Sequence, residues 1–227
     1  MDWQALQLSL QLSAITVAIL IPIGVLTAFF LQRSSFYQSA MWETFFTLPL
    51  VLPPTVLGYY LLVAFSQEGL LGHAIMQYTN QSLVFSFIGI LLASLVFNLP
   101  FAILPIRRAF ESIPESLQDA AKTCGLGPWH QLWKIQLPLS WRGVVTASIM
   151  TFTHTLGEFG VVLMVGGNIP KQTRTISISI YDAMQSLQMA AAGRMSLFLL
   201  ILSFLSLIFT QFFLNRSNSI FSQSSHA

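Results

Sequence analysis

The sequence predicts an all-α protein that crosses a membrane five times. Hydrophobic residues make up 54% of the 227 residues and charged residues only 8%, whereas a globular domain in water carries about 25% charged residues. Five windows are apolar over the roughly 20 residues that a spanning helix needs. The polar residues concentrate between the windows and at the C-terminal end. We therefore expect a single transmembrane domain over residues 1–214 and a polar tail over residues 215–227.

The five windows are the candidate spanning helices. They cover residues 8–31, 45–66, 83–105, 143–165 and 195–214. The first window is too long for the apolar core of a cleavable signal peptide and has no basic segment before it, so it is expected to stay in the membrane. Only the fourth window contains ionisable side chains, His154 and Glu158. Residues 166–194 are too polar to span and are expected to form a loop with a short surface helix.

The distribution of basic residues orients the spans, because cytoplasmic loops carry an excess of Lys and Arg. Seven basic residues fall on one side of five alternating spans: Arg33, Arg107, Arg108, Lys122, Lys134, Arg142 and Arg216. Three fall on the other side: Lys171, Arg174 and Arg194. This distribution predicts an external N-terminus, a cytoplasmic C-terminus and a cytoplasmic loop over residues 106–142 in a multi-pass plasma (inner) membrane protein. The formal net charge is only +2, and no nucleic-acid partner is expected.

The cytoplasmic loop contains the start and stop signals of two short helices. Ser112 and Glu115 have the Ser-x-x-Glu spacing of a capping box, which predicts a helix start. Gly125 is suited to end this helix in a left-handed conformation. Pro128 is suited to the first turn of a second helix, and Pro138 is expected to end it. The sequence therefore predicts two helices that meet at a glycine elbow.

The two loop helices carry small and aromatic side chains suited to a partner. Trp129, Leu132 and Trp133 have the i, i+3, i+4 spacing of one helix face. Ala120 and Ala121 are small, so another surface can approach them closely. This shape suits insertion into a groove of another protein.

The loop also carries a motif of fixed spacing. Asp-Ala-Ala is followed after three residues by Gly and after nine more by Ile-x-Leu-Pro, with Asp119, Ala120, Ala121, Gly125, Ile135 and Pro138 at the defining positions. In this motif the chain resembles the membrane subunits of binding-protein-dependent ABC importers, which have a MetI-like fold and Glu in place of Asp119. The resemblance implies coupling helices that dock in a cleft of an ATPase subunit. It also implies two ATPase subunits and an extracytoplasmic binding protein as partners. A second copy of the permease is expected, because five helices are too few to enclose a pathway.

The chain lacks the phosphate-binding loop of an ATPase. No Gly-x-x-x-x-Gly-Lys-Ser/Thr sequence occurs in it. ATP hydrolysis is therefore expected on a partner chain. The chain itself is expected to be a transport subunit with no catalytic residue, cofactor or metal.

Two further stretches resemble the molybdate branch of the importer family. They are residues 48–62 and residues 156–184. Sulfate and thiosulfate permeases are similar around the Gly-Glu-Phe-Gly and Gly-Asn-Ile-Pro sequences of the second stretch, and tungstate is a dianion of nearly the same size as molybdate. The resemblance therefore implies an oxyanion importer, with molybdate as the first expectation and sulfate, thiosulfate and tungstate left open.

Three prolines mark the second window as unusual. Pro49, Pro53 and Pro54 have no backbone N–H donor, so they leave carbonyl groups without a hydrogen bond. In a bilayer these carbonyl groups need neighbouring helices or water as partners. This pattern predicts that the second span lines the translocation pathway. The alternative is a kinked helix packed among others.

Glu158 is the most informative residue of the fourth window, because a carboxylate at the bilayer centre costs about 2.5–3.5 kcal/mol. A carboxylate repels a dianion, so a role in gating is expected, with Arg174 or the second copy as its partner. Gly157 and Gly160 flank Glu158 and allow a close helix approach. A purely structural ion pair is the alternative.

The five windows contain no arginine or lysine. A tight anion site within the membrane needs several donors, so selectivity is expected to reside in the external binding protein. Lys171 and Arg174 are expected to dock that protein and steer the anion, or else to be solvated loop charges.

Two other classes of function stay open. His154 and Glu158 are four residues apart, so on a helix they would lie on one face. There they could bind a metal or take part in acid–base catalysis, although no third ligand has a matching position. A proton-coupled secondary transporter would use an intramembrane carboxylate but would not need the cytoplasmic loop.

Overall fold

The computed structural model describes residues 1–215, and the regular structure in this range is helical. The helices are α1 (Trp3–Arg33), α2 (Phe36–Val51), α3 (Pro54–Phe65), α4 (Leu70–Thr79), α5 (Phe87–Glu111), α6 (Glu115–Thr123), α7 (Pro128–Gln131), α8 (Leu137–Gly157), α9 (Gly160–Gly166), α10 (Ile176–Gln185) and α11 (Met189–Asn215). A π-helical segment, Leu132–Gln136, joins α7 to α8. The polar tail and Arg216 lie outside the described residues, apart from Asn215.

Three continuous helices, α1, α5 and α11, are long and apolar enough to cross a membrane. The second and fourth windows instead form bent pairs. The axes of α2 and α3 differ by 106°, and those of the segment from α7 to α8 and of α9 differ by 58°. The prediction of one continuous helix is therefore wrong at these two windows, and residues 1–215 give five crossings if each bent pair counts as one span.

The break between α2 and α3 follows from two consecutive prolines. Leu52 precedes Pro53 and is extended (ψ 134°), and Pro53 is extended as well (ψ 136°). A proline ring clashes with a helical conformation of the residue before it, so both residues leave the helix. Pro54 then occupies the start of α3, where a missing N–H costs no hydrogen bond. The prolines thus separate two helices and do not merely kink one.

The connection over residues 166–194 contains the expected short helix, α10. One side of this helix is buried, with Ile176 and Ile178 fully covered, whereas Tyr181 and Met184 are exposed. It packs against α1 and α11. The apolar residues at alternating positions of its first turn therefore form part of the core.

The centre of the chain is formed by α1, α5 and α8, which pack against one another. One buried cluster joins Phe29 of α1, Phe110 of α5 and Ala147 of α8. Polar side chains in these helices donate to the carbonyl of the preceding turn, as Thr155 Oγ1 does to Thr151 O at 2.7 Å. Such bonds satisfy part of the buried hydroxyl groups without a side-chain partner, whereas Thr16, Ser94 and Thr151 have no hydrogen-bond partner among the described residues.

Long-range contacts define the two ends of the helix bundle. At one end Arg107 of α5 pairs with Glu43 of α2 at 2.5 Å. We call this the elbow end, because the loop over residues 112–138 lies there. At the opposite end Ser179 Oγ donates to Asp2 Oδ2 at 3.1 Å. The two sides that the sequence distinguishes thus correspond to two ends of the packed chain.

Candidate functional site

The elbow between α6 and α7 is closed by a Schellman motif. Gly125 has φ +74°, in the left-handed region. Leu126 N–H donates to Ala121 O at 3.1 Å, and Gly125 N–H donates to Lys122 O at 2.9 Å. These two bonds satisfy carbonyl groups that the end of α6 would otherwise leave open. The left-handed conformation predicted for Gly125 is confirmed.

The start of α6 differs from the predicted capping box. The helix begins at Glu115 after Pro114, without a side-chain cap. Ser112 instead ends α5, where its N–H bonds to Arg108 O and its Oγ donates to Ala109 O at 2.8 Å. The capping-box prediction is wrong, because the end of the preceding helix already uses the serine.

The second elbow helix does not end at Pro138, so that prediction is wrong as well. α7 widens into the π-helical segment, where Leu137 N–H bonds to Leu132 O, and then continues as α8. Pro138 lies in the first turn of α8, where the missing N–H of a proline costs no intrahelical hydrogen bond. Ile135 is half-buried in this segment. The elbow is therefore continuous with a helix of the central core.

The three consecutive motif residues of α6 differ in accessibility. Asp119 and Ala120 are exposed, whereas Ala121 is buried. Asp119 accepts a hydrogen bond from Lys122 at 2.8 Å, with both side chains in solvent, and such a pair contributes little stability. The face with Asp119 and Ala120 is therefore the part of α6 that is free for a partner.

The spacing of Trp129, Leu132 and Trp133 predicted one surface that faces a partner. In the structure these three side chains do not form such a surface. Leu132 is only 1% exposed and Trp133 is 68% exposed. Trp129 lies between these extremes, with its ring centroid 5.4 Å from that of Phe29. The expectation is wrong because α1 covers one side of the elbow. Trp133 and part of Trp129 remain accessible.

The last turn of α1 holds the elbow in place. Arg33 Nη2 donates to Gln131 Oε1 at 3.3 Å, and Gln136 Nε2 donates to Gln32 Oε1 at 2.9 Å. Gln131 Nε2 also donates to Leu126 O at 2.8 Å, next to the Schellman motif. The elbow is thus hydrogen-bonded to α1 and continuous with α8. Sequence reasoning missed these glutamines, which carry no periodic or motif signal.

The three prolines expected to line a pathway do not share one environment. Pro49 is buried, whereas Pro53 and Pro54 are exposed. A Cβ added to Gly160 would lie 2.9 Å from Cβ of Pro54, so α3 and α9 touch at this point. The proline pair therefore creates the bend that brings α3 onto α9. A role in lining the pathway stays a prediction for these residues.

Glu158 is buried at the break between α8 and α9. Its Oε1 accepts the N–H of Val161 at 2.9 Å, so the carboxylate caps the start of α9. The expected pair with Arg174 is wrong. Arg174 donates to Asn168 Oδ1 at 2.5 Å and lies 3.8 Å from Asp182 Oδ2. The carboxylate of Glu158 is thus stabilised by a backbone N–H group at the start of α9, and not by the arginine side chain that the sequence suggested.

The two basic residues of the connection after α9 have different surroundings. Lys171 is exposed, has φ +65°, and lines a shallow cavity of about 340 Å³ together with Gln4, Gln7 and Gln11 of α1. Arg174 is engaged within its own loop. Lys171 is therefore the more accessible of the two at the end opposite the elbow.

His154 and Glu158 do not share a helix face, because α8 ends at Gly157 between them. His154 Nδ1 lies 3.0 Å from Asn98 Oδ1, and its ring stacks on that of Phe101 with centroids 3.9 Å apart. The histidine is thus a half-buried, hydrogen-bonded residue, and it lines a cavity of about 380 Å³ together with Glu158. The proposed metal or acid–base pair depended on one continuous helix through both residues, and α8 ends between them.

Two cavities follow each other along α5 and α8. One, of about 630 Å³, lies near the elbow end and is lined by Arg108 and Arg142. The other, of about 380 Å³, reaches Glu158, and both are lined by Phe101 and Met150. Sequence reasoning did not associate the two arginines with a pathway, because they lie just outside the apolar windows. Their position at the ends of two successive windows was the available signal.

Long apolar helices, two bent pairs and an exposed helical elbow define a multi-pass membrane subunit. A sequence profile of the family "Binding-protein-dependent transport system inner membrane component" matches residues 20–218. The chain belongs to this family of ABC importer permeases with a MetI-like fold. It is therefore a transport protein of the inner (plasma) membrane.

The similar curated proteins are permeases of molybdenum transport systems and of probable sulfate transport systems. The chain is 39% identical over 206 residues to the molybdenum transport system permease protein ModB of Azotobacter vinelandii, with 91% of each chain covered. It is 35% identical over 211 residues to ModB of Escherichia coli (strain K12), with 92% of each chain covered. A probable sulfate transport system permease protein cysT of Marchantia polymorpha is 30% identical over 82% of this chain and 64% of its own length.

The similar solved structures support the fold. A bacterial ABC transporter involved in the import of the acidic polysaccharide alginate matches with a TM-score of 0.73 and 18% identity. The match covers 96% of this chain and 79% of that one. At this identity the likeness concerns the backbone arrangement and not the substrate.

Proposed function

We propose that the chain is the permease subunit through which an ABC importer carries molybdate into the cytoplasm. The observation that carries this proposal is the 35–39% identity to the two ModB proteins over nearly the whole of each chain. In this arrangement ATP hydrolysis resides on two partner subunits, and an external binding protein delivers the anion. The chain itself supplies the pathway.

Sulfate is the second candidate substrate. The sulfate permease relative is 30% identical, and its own sequence extends well beyond the matched region. The ModB proteins match at higher identity and at nearly the same length. Both observations favour molybdate over sulfate, and tungstate shares the argument for molybdate.

The elbow is the proposed site of coupling to the ATPase. Asp119 and Ala120 are exposed on α6, and Gly125 turns the chain between α6 and α7. Because the elbow is continuous with α8 and bonded to α1, a movement of the docked ATPase reaches two central helices. A rigid link of this kind is needed to convert the closure of the ATPase subunits into an opening of the pathway.

A second copy is proposed to complete the pathway. The cavities along α5 and α8 are open to the surface of the single chain, whereas an anion in transit needs walls on all sides. In the proposed topology each bent pair crosses the membrane once and the elbow end faces the cytoplasm. The seven basic residues assigned to that side support this orientation.

A growth experiment tests the proposed substrate. Cells without the chain are expected to lose molybdenum-cofactor enzyme activity at trace molybdate and to regain it when external molybdate is raised. At trace concentration transport depends on capture by a tight receptor, whereas at high concentration a weak route suffices by mass action. Enzyme activity is measured across a molybdate series.

Growth on limiting sulfate is the control in the same strains. It is expected to be normal. A requirement for another sulfur source, with intact molybdenum enzymes, would assign the chain to the sulfate branch. Normal activity of both systems in cells without the chain would contradict the oxyanion proposal itself.

Glu158→Gln is expected to weaken coupling between the binding protein and the ATPase. The substitution keeps the side-chain volume but replaces a charge-assisted hydrogen bond to Val161 N–H by a neutral one, so the break between α8 and α9 loosens. Hydrogen bonds to charged groups contribute about 1.5–3 kcal/mol. We expect the ATPase stimulation by loaded binding protein to fall roughly tenfold in reconstituted vesicles.

Glu68→Gln is the matched control, because Glu68 is an exposed carboxylate. It is expected to leave the stimulation unchanged. Tighter anion binding by Glu158→Gln with normal stimulation would contradict the gating role and indicate that the carboxylate repels the substrate.

A further inference from the structure

The cavity of about 630 Å³ between α5 and α8 is lined by two cations and no carboxylate. Arg108 comes from the last turn of α5 and Arg142 from the first part of α8, and no Asp or Glu is among the lining residues. The rest of the lining is apolar apart from three hydroxyl side chains, Ser112, Ser140 and Thr146. The cavity therefore has a positive character at the elbow end.

The hydroxyl groups of the lining already use their protons within the chain. Ser112 Oγ donates to Ala109 O, Ser140 Oγ to Gln136 O and Thr146 Oγ1 to Arg142 O. Each hydroxyl has only one proton to donate. The side-chain donors that remain for an incoming group are the two guanidinium groups.

The neighbouring Arg107 shows what a paired arginine looks like at this end. It donates to Glu43 at 2.5 Å and to Glu111 at 2.7 Å. Within residues 1–215 neither Arg108 nor Arg142 has an ion pair of this kind. Nη1 of Arg142 is moreover buried without a hydrogen-bond partner among the described residues. A buried charged donor is costly unless an acceptor meets it, so an acceptor from outside the chain is indicated.

The two arginines flank a close contact between α5 and α8. A Cβ added to Gly143 would lie 2.3 Å from Cβ of Ala109 and 3.0 Å from Pro105 O, so α5 and α8 are in direct contact there. Arg108 and Arg142 are the chain neighbours of these two contact residues. Arg108 is exposed and Arg142 is half-buried, and both line the same cavity, so a dianion in it is attracted by two positive charges.

We propose that the Arg108–Arg142 cavity is a binding site for a tetrahedral oxyanion at the elbow end of the pathway. The guanidinium group presents paired N–H donors that match two oxygens of a tetrahedral anion. The site receives the anion on the cytoplasmic side, after the external binding protein has released it. This role rests on the proposed function, whereas the anion site itself rests on the cavity and its arginines.

Direct binding to the purified full-length permease tests the site. Radiolabelled molybdate is titrated onto the protein in phosphatidylcholine nanodiscs at low ionic strength, without the external binding protein. Saturable binding is expected for the wild type, and about tenfold or greater weakening for Arg108→Gln and for Arg142→Gln, because each removes charge-assisted hydrogen bonds. Arg142→Lys keeps the charge but not the paired donors, so intermediate weakening is expected.

Arg107→Gln is the matched control, because this neighbouring arginine is already paired with two carboxylates. It is expected to bind molybdate within about twofold of the wild type, because Arg107 does not line the cavity. Equal loss in Arg107→Gln would indicate a general charge effect. No binding by the wild type, or unchanged binding by Arg142→Gln, would overturn the proposal.

A lipid phosphate has the same tetrahedral oxygens, so a second arm uses nanodiscs with phosphatidylglycerol. Molybdate binding is expected to persist there. Its loss, together with phosphatidylglycerol that co-purifies with the wild type but not with Arg142→Gln, would assign the site to a lipid headgroup and overturn the free-anion assignment.

Growth at trace molybdate separates this inference from the proposed function. If the inference alone is wrong, wild-type cells import molybdate normally while Arg142→Gln binds it unchanged. If the proposed function is wrong, molybdate uptake does not depend on the chain, whatever the binding result. The role of the site in receiving the transported anion on the cytoplasmic side is then wrong as well.

Discussion

Gly125→Val is expected to abolish ATP-dependent transport while the chain still inserts into the membrane. Gly125 has φ +74° and no atom lies near its potential Cβ, so the obstacle is the backbone conformation and not a clash. A β-branched residue in this region is strained by about 1–3 kcal/mol. The Schellman motif is then expected to open, which moves α7 away from α6. Transport into vesicles and co-elution of the ATPase measure the effect.

Gly127→Val is the matched control, two residues further on. Gly127 also has free space at its potential Cβ, but its φ is −63° with extended ψ, which suits valine. Near-normal transport and co-elution are expected. Equal loss in both variants would mean that the elbow tolerates no side chain for another reason, and normal function of Gly125→Val would exclude the elbow as the coupling site.

Gly160→Val is expected to destabilise the folded permease and reduce transport in proportion. The added Cβ would lie 2.9 Å from the Cβ of Pro54, which belongs to a rigid ring at the start of α3 and cannot turn aside. Overpacking at such a contact costs about 1–3 kcal/mol. The bend between α2 and α3 is expected to shift away from α9. Thermal unfolding of the detergent-solubilised protein measures the change.

Gly157→Val tests whether the close contact is the cause. Gly157 flanks the same break between α8 and α9 but has no atom within 4 Å of its potential Cβ. Its melting temperature is expected to stay near that of the wild type. A similar drop for both variants would indicate that the break itself needs glycines, independently of Pro54.

The paired comparison at these two glycines also illustrates the limit of sequence reasoning. The sequence treats Gly157 and Gly160 alike, as small residues beside Glu158. Only the fold shows that one faces Pro54 and the other faces open space. The reason is that close approach is a property of two segments, whereas a sequence window describes one.

Breaks in the spanning segments show the same limit at larger scale. The prolines after Leu52 signal a disruption, but the 106° between α2 and α3 depends on the seating of α3 against α9. No proline lies near the break at Glu158 in the sequence. There the carboxylate of Glu158 accepts the N–H of Val161 and caps α9. Sequence reasoning instead predicted an ion pair with Arg174.

The sequence by itself determined the membrane location, the helical class, the family and the glycine elbow. Each of these depends on local chemistry: long apolar runs need a bilayer, fixed motif spacing identifies a family, and a helix end in the left-handed region favours glycine. Such signals are complete within a few neighbouring residues and do not depend on how distant segments meet.

Only the tertiary structure decided which side chains share a site. Gln32 and Gln136 are 104 residues apart and bond to each other, and Arg108 and Arg142 come from different helices to line one cavity. These pairings arise because α1, α5 and α8 pack at particular positions along their lengths. Polar side chains at helix ends carry no periodic signal of their partner, so the positive cavity became visible only when the helices were brought together.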